Sequence, residues 1–589
     1  MFVIIPIEDY IMKKVPKEYS ITKKGKRKNF KPRDILRASK QRIRNLHRSV
    51  DRIISRKASI QRPTIATNEL IILAMQTSRA FSQGDWPNAE KHAKKLINLN
   101  PDIPLEIWMI LVTSLRNQKR HTEADATIQA GLNKFPDSYL LEIEQAENAT
   151  ADKNLDKAVQ IWSLLLARPE LSPKHKEKIY IAYISTLLES GAISKANEIA
   201  TQASDEFKES LNIAIAQTRV YMKKGDWASS SKAWDEIFSK NQNIPIGGWL
   251  LAINSYRNSK EFKKADDTIQ NAYKLYDDIR LRIEWAENPT TAKDWDTALT
   301  RWQRLNEDFG DCTWVEVSHK LHIKFNLSVV KRIVNIDDYL KRINEYRTSK
   351  TVRKIAIVTS FTDNYDTLKI PEVLDDRFDY FVYTNTAIEG FGIYNIRPFS
   401  FIGKDNGRTI RFVKTHPHKL FPDYDIVIWI DASILITDDI FPQIDRFISS
   451  KKPIASTPHQ HRSSIFEELE ACILRKKDEP AIMKKQVERY KIDGFSGDVL
   501  AENGILMFNN RNKKLPLIVE TWWNEINNCS KRDQLSFGYS LYKNKSTYHH
   551  IVDKPYNMRN LPGIILTPHH EKNEVLDELQ KLIKKAQNV

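Results

Sequence analysis

Gly84-Asp85-Trp86 returns as Gly225-Asp226-Trp227, and a chain that repeats itself at a fixed distance must fold into repeating units. At the same offset of 141 residues, Trp108 recurs as Trp249 and Arg116-Asn117 as Arg257-Asn258. Ala124-Asp125-Ala126-Thr127-Ile128-Gln129 likewise returns as Ala265-Asp266-Asp267-Thr268-Ile269-Gln270. One deletion later the offset is 140, carrying Ala146-Glu147-Asn148 to Ala286-Glu287-Asn288 and Trp162 to Trp302. A quarter of this offset lies close to the period of about 34 residues of tetratricopeptide hairpins. Residues 63–326 therefore read as about seven helical hairpins, four of them duplicated as a block. Each unit pairs two amphipathic segments, as in Leu70 to Gln83 followed by Trp86 to Leu99. Gly84, Gly191 and Gly225 mark turns, and Pro101, Pro136 and Pro245 mark unit ends. The tryptophans and alanines fit an interlocking core. Such an array presents a concave surface for a peptide, a protein partner or an extended polymer.

With 589 residues the chain exceeds what one core organises, so several domains are expected. No apolar run approaches the roughly 18 to 20 residues that span a bilayer. The start, Met1 to Asp9, is too short and acidic for a secretory signal. Cys312, Cys472 and Cys529 have neither disulfide nor metal-site spacing. A reducing cytosol is the expected location. Residues 1–62 hold 19 Lys and Arg against 5 Asp and Glu, a balance of +14 that leaves +3 for the rest of the chain's +17. Within this arm Arg33 to Lys57 reads as a helix, with Leu36, Ile43, Leu46, Val50 and Ile53 on a stripe among Arg37, Lys40, Arg44, Arg48 and Arg52. Three readings stay open: a helix packed on the first repeat, attachment to the anionic inner membrane face, or nucleic-acid binding. The last is disfavoured, because Tyr19 and Phe30 alone are placed for base stacking.

After a connecting helix expected over residues 327–350, the pattern changes. Short apolar runs at Lys354–Thr359, Phe378–Tyr383, Asp425–Ile430 and Gly504–Phe508 alternate with helical stretches at Ile410–Leu420, Ile440–Ile448, Ile465–Tyr490 and Asp533–Tyr542. Residues 351–589 thus read as an α/β domain around a largely parallel sheet, whose ligands bind beyond the carboxyl ends of the strands. There the chain places Thr359-Ser360-Phe361-Thr362-Asp363 and, after the next central run, Asp431-Ala432-Ser433. Arg411 and Lys414 lie three apart on one helix face, suited to neutralising a diphosphate, with His416 and His418 following. Singly these signals are weak, since an Asp after a strand is often only a helix cap.

Together, Arg411-Phe412-Val413-Lys414, Leu420 to Asp425 and Trp429-Ile430-Asp431-Ala432-Ser433 resemble GT-A glycosyltransferases, in which a basic helix precedes a strand ending in a DxD motif. The stretch from about 354 to 570 resembles the glycosyltransferase-like domain family of plant mucilage- and turgor-related proteins and their bacterial homologues. Its pieces are Trp429-Ile430-Asp431; His459 with Arg462 and Glu467-Glu468; Glu502-Asn503-Gly504; and Trp522-Trp523 with Arg532-Asp533-Gln534-Leu535-Ser536-Phe537. The resemblance implies a GT-A-type transferase using a nucleotide sugar, with a glycan, a lipid-linked sugar or a protein as acceptor. It implies that Thr359, Ser360, Phe361 and Asp363 contact the nucleoside and that Arg411 and Lys414 face the diphosphate. Asp431, with Ser433, would meet a metal or the ribose. Glu502, Asn503 and Gly504 would line the sugar pocket, and Asp533 and Gln534 would reach the donor sugar or acceptor hydroxyl. Glu468, Glu502 and Asp533 are the carboxylates available to deprotonate an acceptor.

Ser433 departs from the motif, being a poor ligand for Mg²⁺ or Mn²⁺, so a divalent cation on Asp431 is left open; Asp438 and Asp439 stand too far downstream to replace it. His549-His550 and His569-His570 are the other ligand candidates. The same serine supports a rival reading, a repeat scaffold with a catalytically inactive domain. Retention of Arg411, Lys414, Asp431 and Asp533 speaks against it. A hydrolase built on His459 or His461 lacks a Ser or Cys nucleophile in a recognisable turn.

Overall fold

The computed structural model describes residues 65–99, 103–241, 243–553, 556–567 and 573–587. The basic arm over residues 1–62 and the pair His569-His570 lie outside these. Two compact units meet at Thr268–Ile269. Among the described residues no helix is long and apolar enough to cross a membrane.

The first unit is helical, and from Ile65–Ser82 through Ile246–Asn258 successive helices pack on one another. The sequence duplication is also a duplication of helix bounds. Trp86–Leu99, Leu105–Asn117, His121–Lys134, Tyr139–Ala151 and Leu155–Leu166 return along the chain as Trp227–Lys240, Ile246–Asn258, Phe262–Tyr273, Ile279–Ala292 and Trp295–Phe309. The Gly-Asp-Trp signature is a turn and a cap in three residues. Gly225 takes φ +75° after the helix Leu211–Lys224, a conformation that glycine adopts without Cβ strain. Asp226 then accepts the Ser229 N–H at 3.1 Å, capping the helix that begins at Trp227. Gly84 (φ +70°) and Asp85, which accepts the Asn88 N–H at 3.3 Å, repeat the device. Asp226→Ala is expected to cost about 1 kcal/mol, read as a lower unfolding midpoint of the helical circular-dichroism signal. Trp162 and Trp302, paired by the repeat, are both buried, and each indole donates to a threonine hydroxyl (Thr186 at 3.2 Å, Thr290 at 2.9 Å).

In the second unit, helices end in a seven-stranded sheet. Its strands are β1 (Ile355–Phe361), β2 (Phe378–Thr384), β3 (Tyr394–Arg397), β4 (Ile426–Ile430), β6 (Ile454–Pro458), β7 (Ala501–Asn509) and β8 (His549–His550), in the order β3-β2-β1-β4-β7-β6-β8. A second ladder pairs β5 (Ile434–Ile436) with β9 (Ile564–Leu566). Pairs along β3-β2-β1-β4 and β6-β8 are parallel, and β7 runs antiparallel to β4 and β6. Strand alternation divides the core in two. Ile355, Ile357, Ile426 and Ile428 face Val329, Tyr339, Tyr346, Leu579 and Ile583. On the other side, Ala356, Val358, Val427, Trp429 and Leu506 face Val413, Ile518, Trp522 and Phe537. Both faces are covered by helices, which explains why the strands read as continuous apolar runs.

Three helices differ from expectation, two of them because of proline. Ile410–Leu420 is two pieces, Asn406–Thr415 and Pro417–Leu420. Ile465–Tyr490 divides into Ile465–Leu474 and Pro480–Ile492. Each second piece carries its proline at the first helical position, where the missing N–H costs nothing. The connecting segment is also two helices, Val317–Val334 and Ile336–Thr348, interrupted at Asn335.

Candidate functional site

Asp431 leaves β4 at its carboxyl end, at the centre of the sheet. Register sets its neighbours. Val358 of β1 lies opposite Trp429, so Thr359 and Ser360 continue beside Ile430 and Asp431. On the other flank the Asp431 N–H donates to the Gly504 carbonyl at 2.8 Å, which brings Glu502, Asn503 and Gly504 of β7 to the same edge. The Trp429 indole donates to Asp431 Oδ1 at 2.8 Å and fixes the carboxylate. A Cβ on Gly504 would stand 2.4 Å from Met558 Sδ and 3.3 Å from Asp431 Oδ2, so a larger residue there would have to displace the Met558 side chain.

The helix Asn406–Thr415 packs over this edge and brings two cations to it. Lys414 Nζ donates to Asp533 Oδ2 at 2.8 Å and lies 3.8 Å from Asp431 Oδ1. Arg411 Nε lies 3.5 Å from Asp533 Oδ1 without making a hydrogen bond. Asp533 is only 4% exposed. Burial disfavours its charge, and Lys414, Arg411 and Arg532 more than offset this, holding the carboxyl well below the usual carboxylate range. It stands at the first helical position of Asp533–Lys543, with Arg532 as N-cap, so it is not itself the cap. As an anion saturated by cations it is poorly suited to accept a proton.

Glu468 is similarly engaged. Burial raises its pKa, but the Cys472 thiol and the Arg462 and Arg532 guanidiniums outweigh that and hold it low. Arg462 Nε donates to it at 2.7 Å and Arg532 lies 3.4 Å away. Glu502 is different: Oε1 accepts from Arg559 at 2.6 Å, whereas Oε2 is buried with no protein partner.

Such unpaired buried atoms recur at this edge. Thr359 Oγ1, Ser360 Oγ, both polar atoms of the Asn503 amide, Glu502 Oε2 and the Nε atoms of Arg411 and Arg532 all lack partners. Buried polar groups are ordinarily paired, and leaving one unpaired costs about 1–3 kcal/mol. Ordered water or a polar ligand at the strand ends would satisfy them.

The remaining candidates are dispersed. Asp363 (φ +52°) is tied to Asn385, whose amide donates to it at 2.7 Å, and to Asn406. Phe361 is buried in the core. Gln534 donates to the Ala501 carbonyl at 3.2 Å. The Ser433 carbonyl accepts from Thr567 N at 2.7 Å. His416 stacks on Phe412 at 3.9 Å between centroids, and burial lowers its pKa to about 4. His459 Nδ1 accepts the N–H groups of His461 and Arg462 at 3.2 and 3.1 Å, so this ring pins its own turn. Met558 and Arg559 join the site without a sequence signal of their own.

Residues 393–559 match the family model for the TOD1/MUCI70, glycosyltransferase-like domain. The match begins after β1 and β2, so the Thr359–Asp363 loop lies outside it. A 219-residue stretch is 23% identical to the "Probable hexosyltransferase MUCI70" of Arabidopsis thaliana, covering 32% of this chain and 37% of that protein. The chain thus aligns with little more than a third of this relative's length. Among solved structures, a tetratricopeptide repeat protein from Parabacteroides merdae is 15% identical over 45% of this chain and 99% of its own, with a TM-score of 0.34. Yeast Tom70 is 16% identical over 54% and 64%, with a TM-score of 0.36. Residues 393–559 are thus similar to the TOD1/MUCI70, glycosyltransferase-like domain, and a unit of repeated helical hairpins precedes them.

Proposed function

We propose that the chain is a glycosyltransferase of GT-A type that moves a sugar from a nucleotide-sugar donor to an acceptor. The observation that carries this reading is the set of unpaired buried polar atoms on β1 and β7, flanking Asp431 at the end of β4 and set beside Arg411 and Lys414. The diphosphate lies against these two cations, which offset the charge that grows on the leaving oxygen as the glycosidic bond breaks. Asp431, with its side chain 41% exposed, accepts from a donor hydroxyl. Glu502 Oε2 takes the proton of the attacking acceptor hydroxyl while Arg559 holds the other oxygen.

The acceptor, a glycan, a lipid-linked sugar or a protein, approaches through a cleft of about 740 Å³ beside Arg559. Gln460, Tyr556, Asn560, Lys320 and Lys324 are among the residues that line it. The repeats recruit a protein partner or the acceptor itself. Attachment to the inner membrane face through residues 1–62 completes the proposal.

Nucleotide binding is the test. Arg411 is a charged donor, worth about 1.5–3 kcal/mol to a phosphate, so Arg411→Ala should weaken nucleoside-diphosphate binding about 10- to 100-fold. Isothermal titration with uridine, guanosine, adenosine, cytidine and thymidine diphosphates reads this directly. Undiminished affinity in Arg411→Ala would place the diphosphate elsewhere. No binding of any nucleotide would favour the repeat scaffold with an inactive domain.

A further inference from the structure

We propose, resting on the glycosyltransferase reading above, that the Lys414 ammonium is the site's own counter-cation and that the donor diphosphate is held without a divalent metal. Lys414 Nζ stands 2.8 Å from Asp533 Oδ2 and 3.8 Å from Asp431 Oδ1. It already occupies the space beside both carboxylates that a metal in this pocket would use. Mg²⁺ and Mn²⁺ need several oxygen ligands in near-octahedral array. Asp431 supplies a single carboxylate, one oxygen of which accepts from the Trp429 indole. Two residues on stands Ser433 in place of a second acid. Among the described residues, no group of three or more His, Cys, Asp or Glu side chains could hold a metal ion.

The charge balance points the same way. Asp431 faces Lys414, Asp533 faces Lys414 and Arg411, and Glu468 behind them faces Arg532 and Arg462, three acids among four cations. The pocket is therefore net positive before a ligand enters. A divalent cation meets repulsion there, and a diphosphate meets attraction. When the diphosphate binds, its oxygens take up the donors of Lys414 and Arg411 that now face Asp533, and Asp533 keeps both cations aimed at the pocket.

The test is titration of UDP and GDP into the full chain in EDTA and again with Mn²⁺, for wild type and Asp431→Asn. Affinities are expected to agree within about twofold in the two buffers, for wild type and for Asp431→Asn alike. An affinity gain with Mn²⁺ of about tenfold or more, abolished in Asp431→Asn, would overturn the proposal. Mn²⁺ titration of the protein alone, followed by electron paramagnetic resonance, is a separate reading. No saturable site is expected, and one that Asp431→Asn removes would overturn the proposal even if neither nucleotide binds. Failure of UDP and GDP to bind in either buffer, with no Mn²⁺ site, would count against the glycosyltransferase reading and overturn with it the diphosphate role of Lys414.

Discussion

Asp533→Ala is expected to destabilise the second unit by about 3–5 kcal/mol, the loss that follows when one partner of a buried ion pair is removed. The mechanism is specific. Asp533 is 4% exposed and lies against Lys414 at 2.8 Å and Arg411 at 3.5 Å. Without it, two cations stand near each other and near Arg532 with little water to separate them. Lys414 is itself 5% exposed and cannot recover full hydration without moving. Asp533→Asn should lose less, because the amide oxygen still accepts from Lys414. Urea unfolding followed by tryptophan fluorescence reads both variants, since the Trp522 indole donates to the Asp533 carbonyl at 3.0 Å.

The same pair sets a pH dependence. Asp533 has a folded-state pKa depressed below the unfolded value of about 3.9, so its contribution is complete above that value. It is lost as pH falls from about 4 toward the folded pKa, where the folded carboxyl finally takes up its proton. The stability gap between wild type and Asp533→Ala should therefore be widest near neutrality and should narrow below about pH 4. A gap that stays constant down to strongly acidic pH would mean that the carboxylate is not what holds Lys414.

Local chemistry was legible in the chain and distant pairing was not. The Gly-Asp-Trp turn can be read because φ, cap and helix start all fall within three residues. Strands β1, β2, β4 and β7 can be read because each is a run of buried apolar residues. Strands β3, β5 and β9 have only 4, 3 and 3 residues, too few to show a period. The helix breaks at Pro417 and Pro480 were available from proline chemistry alone, yet the apolar pattern ran across them. In the site, Asp431 is legible as the acid after a central strand, and Arg411 with Lys414 as a helix face. That Lys414 meets Asp533 is not, because the contact closes over 119 residues of chain. Nor does anything local announce that Met558 covers Gly504 or that Arg559 holds one oxygen of Glu502.

Glu502 carries the largest expected kinetic effect. A positioned general base is worth about 10²- to 10⁴-fold in rate, and Glu502→Gln keeps the shape and one acceptor oxygen while removing the base. The amide can still accept from Arg559, as Oε1 does now at 2.6 Å, so the fold and nucleotide affinity should be retained. The effect belongs in kcat, with nucleoside-diphosphate affinity changed little, because the proposed mechanism sets Glu502 toward the acceptor and not the phosphates. The measurement that tests the central claim most directly is release of nucleoside diphosphate from a panel of nucleotide sugars by the full chain, wild type beside Glu502→Gln. The account predicts turnover of at least one donor by wild type and a fall of about 10² or more in Glu502→Gln. No release from any donor, or equal release by the two proteins, would contradict it.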